Sequence, residues 1–206
     1  MAGDGDSFYP VVILPEEYWV FDFTRGPNSD WNCPFEYQIG RYDEHRPNMY
    51  TNELFSGDRE LHVGIDIGAP LGTEIHAFSD GVVHSVGINS EDGSYGPTII
   101  TEHLIKLPIA VGSNELLPVR KVWALHGHLS TESLDSVHQG MSINKGEVFA
   151  RIGGEDENGG WPPHLHFQLS YTEPQNNDLP GVVTLSDRDE ALAIYPDPRL
   201  VLGHLY

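Results

Sequence analysis

From about residue 62 to residue 170 the apolar positions fall in short runs rich in β-branched residues and cut by Gly, Pro, Asp and Asn, with no sustained 3.6-residue repeat. Runs at 74–78, 81–88, 98–105, 120–128, 147–152 and 165–170 read as strands. Asp80-Gly81 and Lys145-Gly146 stand where tight hairpin turns take residues tolerant of positive φ. The pattern predicts a mainly all-β domain, an antiparallel sandwich or barrel. Short helices are expected beside it. One covers 130–137, opened by Ser130-Thr131 and closed near Gly140. Another starts at Ser186, three residues before Asp189 as in a capping box, and runs to about Ile194 before Pro196 and Pro198.

The flanks differ in composition. Of 21 aromatic residues, 11 lie in the first 50 positions, Trp31 among them. So large an apolar load predicts a segment packed on the body as irregular chain with a few strands, shielding a sheet edge and lining part of a groove. The chain therefore divides into an aromatic-rich extension (1–58), a β domain (59–172) and an acidic extension with a short helix (173–206). A length of 206 residues suits one such domain with elaborated edges.

Charge narrows the function. Against 31 Asp and Glu stand 11 Lys and Arg, a formal net charge of −20, with no basic run. Nucleic acid and anionic membrane surfaces would repel this chain, so neither is an expected partner. No stretch approaches the roughly 20 apolar residues of a membrane span. The start at residues 1–6 is acidic, and the first apolar run stops at Pro15, unlike an export signal. A cytoplasmic location is the expectation. The lone Cys33, beside Pro34 in an aromatic segment, reads as packing.

Eleven histidines equal Lys and Arg together. His126-Gly-His128 and His164-Leu-His166 have strand spacing, at which residues i and i+2 share a face about 6–7 Å apart. His62 and Asp66 are four apart, but Gly64 and Pro70 argue against a helix. A straight strand would separate them by about 13 Å, so a shared ion requires a bend at Gly64. Two imidazoles and a carboxylate around Zn²⁺, with a fourth position for water, form a catalytic rather than a structural arrangement. Spacing leaves open which imidazole of His164-Leu-His166 binds metal. His45, His76, His84, His103, His138 and His204 read as surface or packing residues. The acidic loop at 155–160 lacks the ligand spacing of a calcium loop and reads as solvated. Trp161-Pro162-Pro163 fits either loop packing or a groove wall.

The order His62-Val-Gly-Ile-Asp66-Ile-Gly-Ala-Pro70, Asp80-Gly, Tyr95-Gly, Gly127-His128-Leu-Ser130, Lys145-Gly and Pro163-His-Leu-His166-Phe resembles the lysostaphin/LytM-type zinc metallopeptidases over about residues 60–170. The resemblance implies strongly bent antiparallel sheets related to the biotin-carrier hybrid motif, and cleavage of peptide bonds in peptidoglycan. It implies one Zn²⁺ held by His62, Asp66 and His166, with His128 and His164 as catalytic histidines that activate water and stabilise the oxyanion. His126 departs from the family pattern and is a possible additional site residue. Gly40-Arg-Tyr-Asp-Glu-His-Arg46 looks like the subgroup of these domains that lacks export signals. The leading expectation is a zinc-dependent hydrolase cleaving a peptide amide. The rivals are a non-catalytic peptide- or protein-binding module and a zinc amidohydrolase acting on a small cytoplasmic amide.

Overall fold

The computed structural model describes residues 7–27, 33–55 and 58–206; the chain start at 1–6 and Trp31 lie outside the described residues. The first segment contributes β1 (Trp19–Val20), β2 (Gln38–Gly40), β3 (Glu44–His45) and a 3-10 turn (Glu53–Phe55). The body contains β4 (Arg59–His62), β5 (Ile65–Gly68), β6 (Glu74–His76), β7 (Gly81–Asn89), β8 (Gly96–Ile105), β9 (Arg120–Gly127), α1 (Glu132–Asp135), β10 (Ser142–Ile143), β11 (Val148–Arg151) and β12 (His164–Ser170). The end adds β13 (Val182–Thr184), a 3-10 turn (Leu185–Asp187), α2 (Arg188–Ile194) and α3 (Arg199–Leu202).

An eight-stranded sheet runs β1-β2-β5-β12-β9-β8-β7-β10, antiparallel except for the β1–β2 pair. β6 pairs with β11, and β13-β4-β3 forms a third sheet. The large sheet ends at β1 and β10 without joining them, so among the described residues no barrel closes. The expected glycine turns do not make hairpins: Asp80-Gly81 leads from β6 to β7 and Lys145-Gly146 from β10 to β11, each passing between different sheets. Gly146 has the expected positive φ of 81°. Gly81 serves another need, since a Cβ there would meet His103 Nδ1 at 2.5 Å and the Glu102 carbonyl oxygen at 2.7 Å. The helix after Ser186 forms, but without the expected capping box: Ser186 Oγ instead lies 2.7 Å from Thr184 Oγ1. Among the described residues no helix is long and apolar enough to cross a membrane.

Strand parity places the site. On β12, Leu165, Phe167 and Leu169 point into the main core with Ile65 and Ile67 of β5 and Val122 and Ala124 of β9. The alternate residues His164, His166, Gln168 and Asp66 then share the opposite face. His126 shares the parity of Ala124, and its ring packs 5.0 Å from Phe149 and 5.3 Å from Phe167. His103 is likewise buried, 4.1 Å from Phe78, donating from Nδ1 to the Asp80 carbonyl and accepting from the Thr101 hydroxyl.

These imidazoles make stability pH-dependent. Burial lowers the His103 pKa to about 4, and burial reinforced by His103 lowers that of His126 to about 3. Both folded values lie below the ordinary value of 6.5, so from there downward the unfolded chain binds more protons and folding stability drops as pH falls. Each group contributes at most about 1.4 kcal/mol per pH unit in that window. Urea unfolding of chelator-treated protein between pH 7 and pH 4 should show this loss, and His126→Leu should lessen the slope; an unchanged slope would contradict the assignment.

Candidate metal centre and active site

The Val63-Gly64 link between β4 and β5 turns the chain, and the antiparallel register then sets Asp66 directly across from His166 on β12. His62 Nε2 lies 3.2 Å from Asp66 Oδ1 and 3.2 Å from His166 Nδ1; His166 Nδ1 lies 3.0 Å from Asp66 Oδ1. A glycine is required at the bend: a Cβ on Gly64 would sit 2.4 Å from His166 Cε1 and 2.5 Å from its Nε2.

The outer atoms of these side chains decide where their protons are. His62 Nδ1 donates to the Arg41 carbonyl oxygen at 2.8 Å, so a neutral ring leaves Nε2 as a bare acceptor. Burial first, then the Arg46 charge, lowers the His62 pKa to about 4, which keeps the ring neutral near pH 7. Gln168 donates its amide to the Pro180 carbonyl, so its Oε1 must accept from His166 Nε2 at 3.1 Å, leaving His166 Nδ1 bare. Asp66 Oδ2 receives Arg46 Nη1 at 2.7 Å. Burial opposes ionisation of Asp66, but its neighbours, the Arg46 charge among them, outweigh it and hold the carboxyl well below its usual range. Three lone pairs therefore face one another with no proton between them. A tetrahedral site with bonds of about 2.0–2.1 Å has edges of about 3.3 Å. The observed spacings of 3.0 to 3.2 Å match it, so the residues fit a divalent cation.

His128 and His164 lie beside this cradle, ring centroids 4.2 Å apart. His128 follows the end of β9 with φ 61°, which turns it away from the face that His126 occupies. The i, i+2 expectation therefore fails for His126-Gly-His128 and holds for His164-Leu-His166, which lies within β12. His128 Nδ1 donates to the Asn158 carbonyl at 2.7 Å and His164 Nδ1 to the Pro162 carbonyl at 2.7 Å, so both Nε2 atoms remain for other partners. Burial lowers both pKa values, with His164 as the next contributor for His128; Asp66 partly offsets the effect for His164.

All five residues line a cavity of about 460 Å³ whose other walls include Phe21, Phe23, Tyr50, Phe55 and Trp161. His126 lies outside it, in the core. Trp161-Pro162-Pro163 does both things the sequence allowed, lining the cavity while Trp161 Nε1 donates to the Gly93 carbonyl. Sequence reasoning missed Arg46, Gln168 and Asn158. Gln168 was findable, two residues beyond His166 on the same strand face. The loop at 155–160 is ordered around Asn158, whose side chain bonds both the backbone nitrogen and the carbonyl of Trp161.

The model for peptidase family M23 matches residues 60–178. DD-carboxypeptidase/endopeptidase Mpg from Neisseria meningitidis serogroup B and that from Neisseria gonorrhoeae are each 32% identical over 108 residues, 52% of this chain. The chain spans only 20% of the length of these curated relatives. Similar solved structures include the lysostaphin catalytic domain from Staphylococcus simulans, with 17% identity and a TM-score of 0.45 over 75% of this chain and 92% of that one. A zinc-containing peptidase from Vibrio cholerae has 22% identity and a TM-score of 0.42 over 72% of this chain and 36% of that one.

Gly64→Ala tests the bend. The new methyl should push His166 out of the cradle and weaken uptake of a divalent metal by at least about tenfold while circular dichroism stays that of a folded β protein. Undiminished metal affinity would refute the steric argument.

Proposed function

Because the chain belongs to peptidase family M23, we propose that it is a metal-dependent hydrolase of endopeptidase type, holding one Zn²⁺ through His62, Asp66 and His166 and cleaving a peptide amide. The observation that carries this reading is the convergence of three proton-free acceptor atoms beside the cavity. Two imidazoles and one carboxylate suit zinc better than the oxygen-seeking ions Mg²⁺ and Ca²⁺. A divalent ion held there would acidify water and polarise a carbonyl.

The remaining work falls to His128 and His164. Each offers an Nε2 lone pair, since its Nδ1 is committed to a carbonyl. Burial keeps both rings neutral, so either can take a proton from attacking water. With ring centroids 4.2 Å apart the two do not charge together. The imidazole that takes the water's proton carries it on Nε2 and can pass it to the leaving nitrogen, while its neighbour holds the developing oxyanion only in the form protonated at Nε2. The aromatic walls exclude water and grip the residues flanking the scissile bond. A volume of about 460 Å³ lies within the usual range for a small ligand or a short peptide segment.

Zinc analysis should find one ion per chain in the wild type and strong depletion in Asp66→Ala and His166→Ala; stoichiometric zinc in either variant would sink the ligand set. His128→Ala should keep its zinc yet lose about 10²-fold or more of its turnover on a peptide panel. Wild-type turnover in that variant would remove His128 from the chemistry.

A further inference from the structure

We infer that the turn from Arg41 to Arg46, which lies ahead of the family-matched region, is a clamp that completes the metal cradle, with Arg46 as its positioning residue. The inference rests on the proposed ligand set. Arg46 is only 2% exposed. Its Nη1 donates to Asp66 Oδ2 at 2.7 Å, and its Nη2 donates to the Arg41 carbonyl at 3.2 Å. That same carbonyl receives Nδ1 of His62 at 2.8 Å. One guanidinium therefore ties together the outer atoms of two of the three proposed ligands. Pinning Oδ2 leaves Asp66 only Oδ1 to offer, and anchoring the Arg41 carbonyl fixes both the tautomer and the ring orientation of His62.

The rest of the segment serves the same contact. Tyr50 Oη accepts from Nη1 at 2.9 Å, and Glu44 Oε2 accepts from Nε at 3.0 Å. Glu44, which also meets Arg41 Nε at 3.3 Å through its other oxygen, holds the far side of the guanidinium, so Arg46 is oriented from both ends. An independent sign comes from Gly40, which pairs with Asp66 in the sheet. A Cβ there would lie 2.7 Å from Arg46 Nη2 and 2.9 Å from Asp66 Oδ2. Room for the ion pair is thus built into β2. Lysine could not replace Arg46, because a single ammonium lacks the planar fork that reaches acceptors on different sides.

The test is the zinc dissociation constant of the full chain, measured by chelator competition, beside the melting temperature of the metal-free protein. Arg46→Met should weaken zinc about 10- to 100-fold, and Arg46→Lys should restore only part of the loss. Gly40→Ala, which crowds the pair without removing it, should also weaken zinc. A merely structural role would lower the metal-free melting temperature and leave the dissociation constant of the folded variant unchanged; that result overturns the clamp. If Arg46→Met does not fold, Gly40→Ala decides in the same way, and loss of folding in both variants also overturns it. A wild type that binds no zinc overturns the ligand set as well, whereas normal wild-type binding with unaffected variants removes the clamp alone.

Discussion

Three acceptor atoms held within 3.2 Å of one another are the constraint around which this structure is built. Left to themselves, His62 Nε2, Asp66 Oδ1 and His166 Nδ1 would turn away, because buried acceptors without donors cost about 1–3 kcal/mol each. Every escape is blocked by a bond on the far side of the same side chain: Arg41 carbonyl for His62, Arg46 for Asp66, Gln168 for His166. Gly64 and Gly40 keep the space clear. The repulsion is thus stored in a rigid frame, and a cation is the group that would relieve it.

The frame is rigid because the strands that present the site also build the core. Leu165, Phe167 and Leu169 anchor β12 in the apolar cluster, and the period-two alternation commits His164, His166 and Gln168 to the other face. A side chain on that face cannot drift without slipping the register of β5, β12 and β9, which would expose the fully buried Ile65, Ile67 and Phe167. Precision at the site is therefore secured by burial on the opposite side of the sheet.

This division explains what could be read from the sequence. Strand positions and the His62, Asp66 and His164-Leu-His166 pattern are local in sequence, and period-two alternation converts them to geometry. The failures were contacts over long separations or departures from period. Nothing local to Arg46 says that it meets Asp66, because β2 and β5 must first pair. The glycine turns read as hairpins because a turn's residues do not say which sheet the next strand joins. His126-Gly-His128 looked like a same-face pair only because the left-handed backbone at His128 leaves no mark in the sequence.

That left-handed residue also separates two mechanical requirements. Residues proposed to hold a cation, His62, Asp66 and His166, sit within paired strands, where register fixes them. His128 sits just past a strand end, in a conformation costing a β-carbon residue about 1–2 kcal/mol. It persists because its surroundings over-determine it: its backbone nitrogen donates to the Tyr95 carbonyl at 2.8 Å, its Nδ1 to the Asn158 carbonyl at 2.7 Å, and its own carbonyl accepts from the Gly153 nitrogen at 2.9 Å. His164 stands at the opposite limit, the first residue of β12, with Nδ1 held by Pro162. Both imidazoles are fixed through Nδ1 and free at Nε2, a suitable state for a group that must take a proton and give it back. The residues proposed as ligands are thus all held by strand pairing, Asp66 and His166 inside strands and His62 at the end of β4, whereas the imidazoles proposed to handle protons stand just past the end of β9 and at the start of β12.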